Sequence, residues 1–151
     1  MVKNMLNEGL DIVSGRVFDA PRVAVFDAFR DSERLARWWG PQGFRNTFHE
    51  RDFRPGGSWR FTMHGPDGAE YPMHKQFVEI VAPERVVYRN IHATHGFTMF
   101  MTFAALDEQR TELTWRMRFD GDDEARAVRE AVLQGNEQNF DRLAEHLGSS
   151  R

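Results

Sequence analysis

From about Asp122 to Leu147 the chain carries apolar residues at the spacing of an amphipathic helix. Ala125, Val128, Val132, Gly135, Leu143 and Leu147 fall on one stripe. Glu130, Gln134, Glu137, Asp141 and Glu145 form the opposite, polar face. Asp122, Asp123 and Glu124 crowd the first turn, where the helix dipole favours negative charge, and Gly148 follows as a C-terminal stop. Two amides, Asn136 and Asn139, interrupt the apolar stripe.

Before this helix the period changes. Leu10 to Asp19 reads as a first strand. Asp19-Ala20-Pro21 opens a short helix whose inner face is Val25, Phe26 and Phe29. Asp31 is placed to cap a second helix, Ser32 to Trp38, which ends at Gly40-Pro41. From Phe44 to Phe119 the period is two, the mark of strands with one buried face. The predicted strands are Phe44–Phe53, Ser58–His64, Glu70–Val81, Arg85–His92, Phe97–Leu106 and Thr111–Phe119. Arg54-Pro55-Gly56-Gly57, Gly65-Pro66-Asp67-Gly68 and Ala82-Pro83-Glu84 supply turns. Alternation places Trp59, Phe61 and Met63 on one face, and Leu113, Trp115, Met117 and Phe119 together.

Short connections imply an antiparallel meander with one apolar face to cover. The C-terminal helix is the element long enough to cover it. The predicted fold class is therefore α+β: a curved antiparallel sheet of six to seven strands, two short helices and a long last helix. Residues 1–9 read as an N-terminal tail and 10–148 as one domain.

Composition narrows the function classes. With 151 residues the chain suffices for a single core without disulfides or metal. The net charge of −3, with both signs dispersed, argues against a nucleic-acid surface or a polybasic membrane patch. Cysteine is absent, which excludes thiol catalysis. Phe97 to Leu106 is too short to span a bilayer, and Met1 to Leu10 lacks the apolar run of a signal peptide. A cytoplasmic protein is the default expectation. Thirteen Phe, four Trp and seven Met supply material for either a large core or a lined cavity.

Four ordered segments resemble a known family. They are Phe18 to Pro41 (FDAPRVAVFDAFRDSERLARWWGP), Phe53 to Gly68 (FRPGGSWRFTMHGPDG), Pro83 to Arg89 (PERVVYR) and Gly135 to Leu147 (GNEQNFDRLAEHL). Together they resemble the domain named after the activator of the Hsp90 ATPase, within the START/Bet v 1-like helix-grip superfamily. The resemblance implies a deep cavity between sheet and last helix. It does not by itself imply a function, since the superfamily spans lipid carriers, receptors, cyclases and co-chaperones.

On that expectation, Trp59, Phe61, Met63, Met99, Met101, Trp115 and Met117 would line the cavity; without one they form a solid core. Trp38 and Trp39 would stand at its mouth, one in the core and the other partly exposed. Asn136, Asn139 and Tyr88 would fix a ligand's orientation. For Asn139 the alternative is a bond to the early helices or to a strand carbonyl. Gly135 leaves room either for ligand or for close approach of Trp38 or Trp39.

Candidate chemistry is sparse. The six histidines show no zinc spacing; His92 and His95 bracket a turn as H-A-T-H, a weak pattern. No nucleophile motif is present, so no catalytic residue, metal or cofactor is assigned. Glu50 and Asp52 alternate with His49 and Arg51 and would share one strand face, either as part of a cavity acid–base pair or as charges solvated or paired at a strand end. The leading function is binding of a small, largely apolar ligand. One alternative is an interaction module for an Hsp90-type chaperone, although the eukaryotic co-chaperone adds an N-terminal domain for which this chain has no room. Another is a cyclase- or hydratase-like enzyme using cavity acid–base groups. A homodimer is compatible with the sequence.

Overall fold

The computed structural model describes residues 11–91 and 96–149. The tail assigned to residues 1–9, Leu10 at the head of the first strand, and the His92–His95 pattern lie outside the described residues. The elements in order are β1 (Asp11–Phe18), α1 (Arg22–Arg30), α2 (Ser32–Trp38), β2 (Arg45–Arg51), β3 (Ser58–His64), β4 (Glu70–Val81), β5 (Arg85–Ile91), β6 (Phe97–Asp107), β7 (Arg110–Phe119) and α3 (Asp122–Ser149).

The seven strands form one antiparallel sheet in the order β1-β7-β6-β5-β4-β3-β2. Strands β2 to β7 are a meander, and β1 closes onto β7. Alternation sorts the faces as expected. Leu113, Trp115, Met117 and Phe119 are buried, while Arg118 is exposed and Glu112, Thr114 and Arg116 are half-buried. The inner face of α1 is Val25, Phe26 and Phe29. Asp31 caps α2, its carboxylate accepting from the backbone N–H of Glu33 and Arg34.

One expectation fails at β2. A bulge after Phe48 inserts a residue, so Phe48 pairs with Phe61 but Arg51 pairs with Trp59. Arg51 thereby turns inward and Glu50 outward. Asp52 lies beyond the strand and pairs with Arg54 at 2.7 Å. Glu50 and Asp52 therefore share no strand face; Glu50 is exposed and Asp52 is paired at the strand end, the arrangement expected for solvated charges rather than for a cavity acid–base pair.

The α3 helix is unbroken over 28 residues, about 42 Å long. It packs against β1, β7 and the two short helices. Phe140, fully buried, anchors it by ring contacts with Trp115 and Phe18 at 4.6 and 6.0 Å. Strands β3 to β6 face α3 across a space.

A candidate ligand cavity between the sheet and the last helix

That space is a cavity of about 650 Å³, open at one side. Small-molecule sites typically run ~300–1,000 Å³. Met63, Met73, Met99 and Met117 form much of the sheet wall, with Phe97 and Phe119 beside them. Val128, Ala131, Val132 and Gly135 form the helix wall. Glu70, Tyr71 and Pro72 are exposed at the mouth.

Three local features hold α3 at this distance. Asn139 accepts from the Gly40 N–H at 3.1 Å and donates to the Trp38 carbonyl at 2.8 Å. Arg142 donates to the carbonyls of Arg37, Trp39, Gly40 and Pro41. Asn136 donates to Ser14 Oγ at 3.1 Å, tying the helix to β1. The loop that meets Asn139 depends on Gly40, whose φ is +97° and whose absent Cβ would lie 2.6 Å from Met63 Cε.

Eight of the twelve sequence-selected residues line the cavity: Trp39, Met63, Tyr88, Met99, Trp115, Met117, Asn136 and Asn139. Trp38, Trp59, Phe61 and Met101 do not; they are buried in the solid core instead. Trp59 stacks on Phe61 at 4.6 Å, meets Phe29 edgewise and Trp39 at a tilt, and is fully buried. The expectation that one of Trp38 and Trp39 is exposed also fails, because both are buried. Trp38 ends α2 and donates its indole N–H to the Ala28 carbonyl at 3.0 Å. Trp39 has already left helical backbone, at φ −69° and ψ 134°, which swings its ring the other way, onto Trp115. Nor is Gly135 a close-packing site for tryptophan. A Cβ there would meet Pro41 Cγ at an ordinary 3.8 Å.

Among the lining residues that sequence reasoning missed, Lys75 is the buried charged one. It is 2% exposed, lines the cavity, and donates to Asn90 Oδ1 at 3.0 Å. Its Nζ lies 4.9 Å from the Tyr88 ring centroid, 5.3 Å from Phe97, and 5.9 Å from both Trp59 and Phe61. Burial lowers its pKa to about 7. Burial likewise pushes the neighbouring Tyr88 phenol up. The register explains the cluster. Arg51, Trp59, Lys75, Asn90, Phe97 and Phe119 form one continuous cross-strand row over β2, β3, β4, β5, β6 and β7. The signal was present in β4: Tyr71, Met73, Lys75 and Phe77 share a parity, and Lys75 is the charged member.

Among the described residues no three His, Cys, Asp or Glu side chains converge as a metal site. His64 and His49 sit on the convex face, hydrogen-bonded to Thr47 and Thr62. Among the described residues, no helix is long and apolar enough to cross a membrane.

Comparison with known proteins agrees with this geometry. The chain matches a protein of Arthrobacter aurescens with a TM-score of 0.86 and 23% identity, over 93% of this chain and 87% of that one. A Nitrosomonas europaea protein matches with a TM-score of 0.84 and 20% identity, over 94% and 96%. A Chromobacterium violaceum protein matches with 0.80 and 26%, over 91% and 96%. No curated protein matches the sequence. The family model described as "Activator of Hsp90 ATPase homolog 1-like protein" matches residues 19–148, and this α+β helix-grip chain belongs to that family.

Proposed function

We propose that this protein binds a small, largely apolar molecule in the cavity between the sheet and α3. The observation that carries the reading is the wall itself: methionine, aromatic and aliphatic side chains enclose about 650 Å³. Methionine walls adapt to varied ligand shapes because the thioether is unbranched and polarisable. Asn136 and Asn139 line the space, but the Asn139 amide already holds α3 to the α2 loop through both its atoms. Its support is for the scaffold around the ligand more than for the ligand. The protein in this reading is cytoplasmic and carries its ligand as a single domain over residues 10–148.

The test is native mass spectrometry of freshly purified protein, followed by thermal melts with a panel of apolar molecules. A carried-over small molecule, or a rise in melting temperature that grows with ligand concentration, is expected. No adduct and no shift across the panel would overturn the reading. The family description supports a second reading, an interaction with an Hsp90-type chaperone. It requires that adding this protein stimulates the turnover of Hsp90 ATPase.

A further inference from the structure

Resting on that reading, we propose that the cavity selects a monocarboxylic acid with an apolar body, its carboxylate pairing with the Lys75 ammonium. Three observations converge on this head-group.

First, among the described residues the buried Lys75 amine has no anionic partner. It meets the Asn90 side-chain amide oxygen and four aromatic rings. Ring faces and an amide oxygen favour the charged form of an amine but do not neutralise it. Glu70, the carboxylate in the cavity wall, stands at the mouth with a 67% exposed side chain and contacts His64 at 3.4 Å. Tyr71 at the mouth and Tyr88 beside Lys75 are the other ionisable side chains lining the space.

Second, the inner wall holds unspent donors. Lys75 carries three donors, of which one reaches Asn90. Trp115, also in the wall, has its buried indole N–H without an acceptor among the described residues. A carboxylate supplies acceptors only, which is the complement.

Third, the position suits an amphipathic molecule. Along β4 exposure falls from Glu70, Tyr71 and Pro72 through Met73 to Lys75. The head-group reaches the ammonium inside, and the apolar body lies among Met63, Met73 and Met99 toward the mouth.

Energetics favour one negative charge. The folded protein has already desolvated Lys75, so that part of an ion pair's cost falls on folding and not on binding. A neutral ligand leaves the ammonium uncompensated, a cation adds repulsion, and a dianion leaves one charge buried in excess.

Calorimetric titration with decanoate and decan-1-ol, which share a chain and differ at the head, tests the inference. Wild type is expected to bind decanoate at least about tenfold tighter than the alcohol. Lys75→Met is expected to erase that preference while keeping alcohol affinity. A second variant, Asn90→Asp, supplies Lys75 with an internal counter-ion. It should lose acid affinity about as strongly, without altering the aromatic surround. Alcohol binding with no preference for the acid overturns the head-group and leaves the cavity reading standing. An acid preference that persists in both variants also overturns it. Entry of neither probe overturns both readings.

Discussion

Trp59 divides the concave face into two halves, each with a basic residue next to it. On one side is Arg51, in register with Trp59 across β2 and β3; on the other is Lys75, in register across β3 and β4. The Arg51 half is solid. Its guanidinium donates to the Phe29 and Arg30 carbonyls at 2.6 Å, at the C-terminus of α1, and lies over the rings of Phe29, Phe53 and Trp59. Phe26, Phe29, Phe53, Phe77 and Trp59 fill the remaining volume through ring contacts of 5.1–6.1 Å. The Lys75 half is open, walled by methionines, and its ammonium meets one amide oxygen. The difference teaches that burial of a cation does not specify its role. Arg51 is matched by helix-end carbonyls and serves the fold. Among the described residues Lys75 has no such helix-end acceptors, and it lines the cavity.

Deleting a side chain on each side gives the largest contrast. Trp59→Ala removes a fully enclosed ring and should destabilise by about 3–5 kcal/mol in urea unfolding. Met99→Ala, on the cavity wall, should cost about 2 kcal/mol or less, because part of that side chain has no neighbours to lose. Equal losses would mean that the two halves are packed alike.

The pH dependence sharpens the same contrast. Lys75 titrates near 7 in the folded protein against an ordinary 10.5. Between those values the unfolded chain holds the extra proton, so stability rises with pH. The penalty is full below about pH 7 and is relieved progressively above it. The difference between wild type and Lys75→Met should therefore shrink by about 1.4 kcal/mol per pH unit from pH 7 upward. Denaturation midpoints at pH 7, 8 and 9 measure it, and parallel profiles would place Lys75 in contact with water or an anion. At pH 7 the methionine variant should be the more stable protein.

Smaller effects concern what holds the open half open. Asn139→Leu strips partners from the Gly40 N–H and the Trp38 carbonyl, both in buried contacts. It should destabilise by about 1–3 kcal/mol and leave a ligand's thermal shift unchanged. A variant that is as stable as wild type but loses the shift would instead make the amide a ligand contact. Gly135→Ala finds only Pro41 Cγ at 3.8 Å. Helix propensity then dominates, and stability should rise by up to about 1 kcal/mol. A loss would show that the helix wall is tighter than its spacing implies.

Much of this architecture is legible in the chain because it rests on periodicity. Leu113 to Phe119 alternates without interruption, and its faces follow at once. The stripe of α3 and the Asp31 cap are equally local. The β2 bulge is not, since an inserted residue leaves no mark when neighbouring residues are polar on both parities. It moved Arg51 inward and so separated Glu50 from the face that it was expected to share with Asp52. Phe140 was missed for a related reason: Asn136 and Asn139 drew attention to a break in a stripe that Phe140 widens.

The sequence by itself determined the elements, the faces of the regularly alternating strands β3 and β7, and the family. It also offered the wall residues, because aromatic and methionine stripes mark a concave face whether it is filled or not. Which stripes close into core was decided by the tertiary structure. The short helices put α1 over Trp59, and Asn139, Arg142 and Asn136 fix the distance of α3 from the sheet. The parity of Lys75 was readable, but its environment was not. A lysine at an inward position can reach out past a sheet edge to water. Only the cross-strand row, with Trp59 and Asn90 on either side of it, keeps this one inside. Register between distant strands is set by the whole fold's packing, which no local pattern carries.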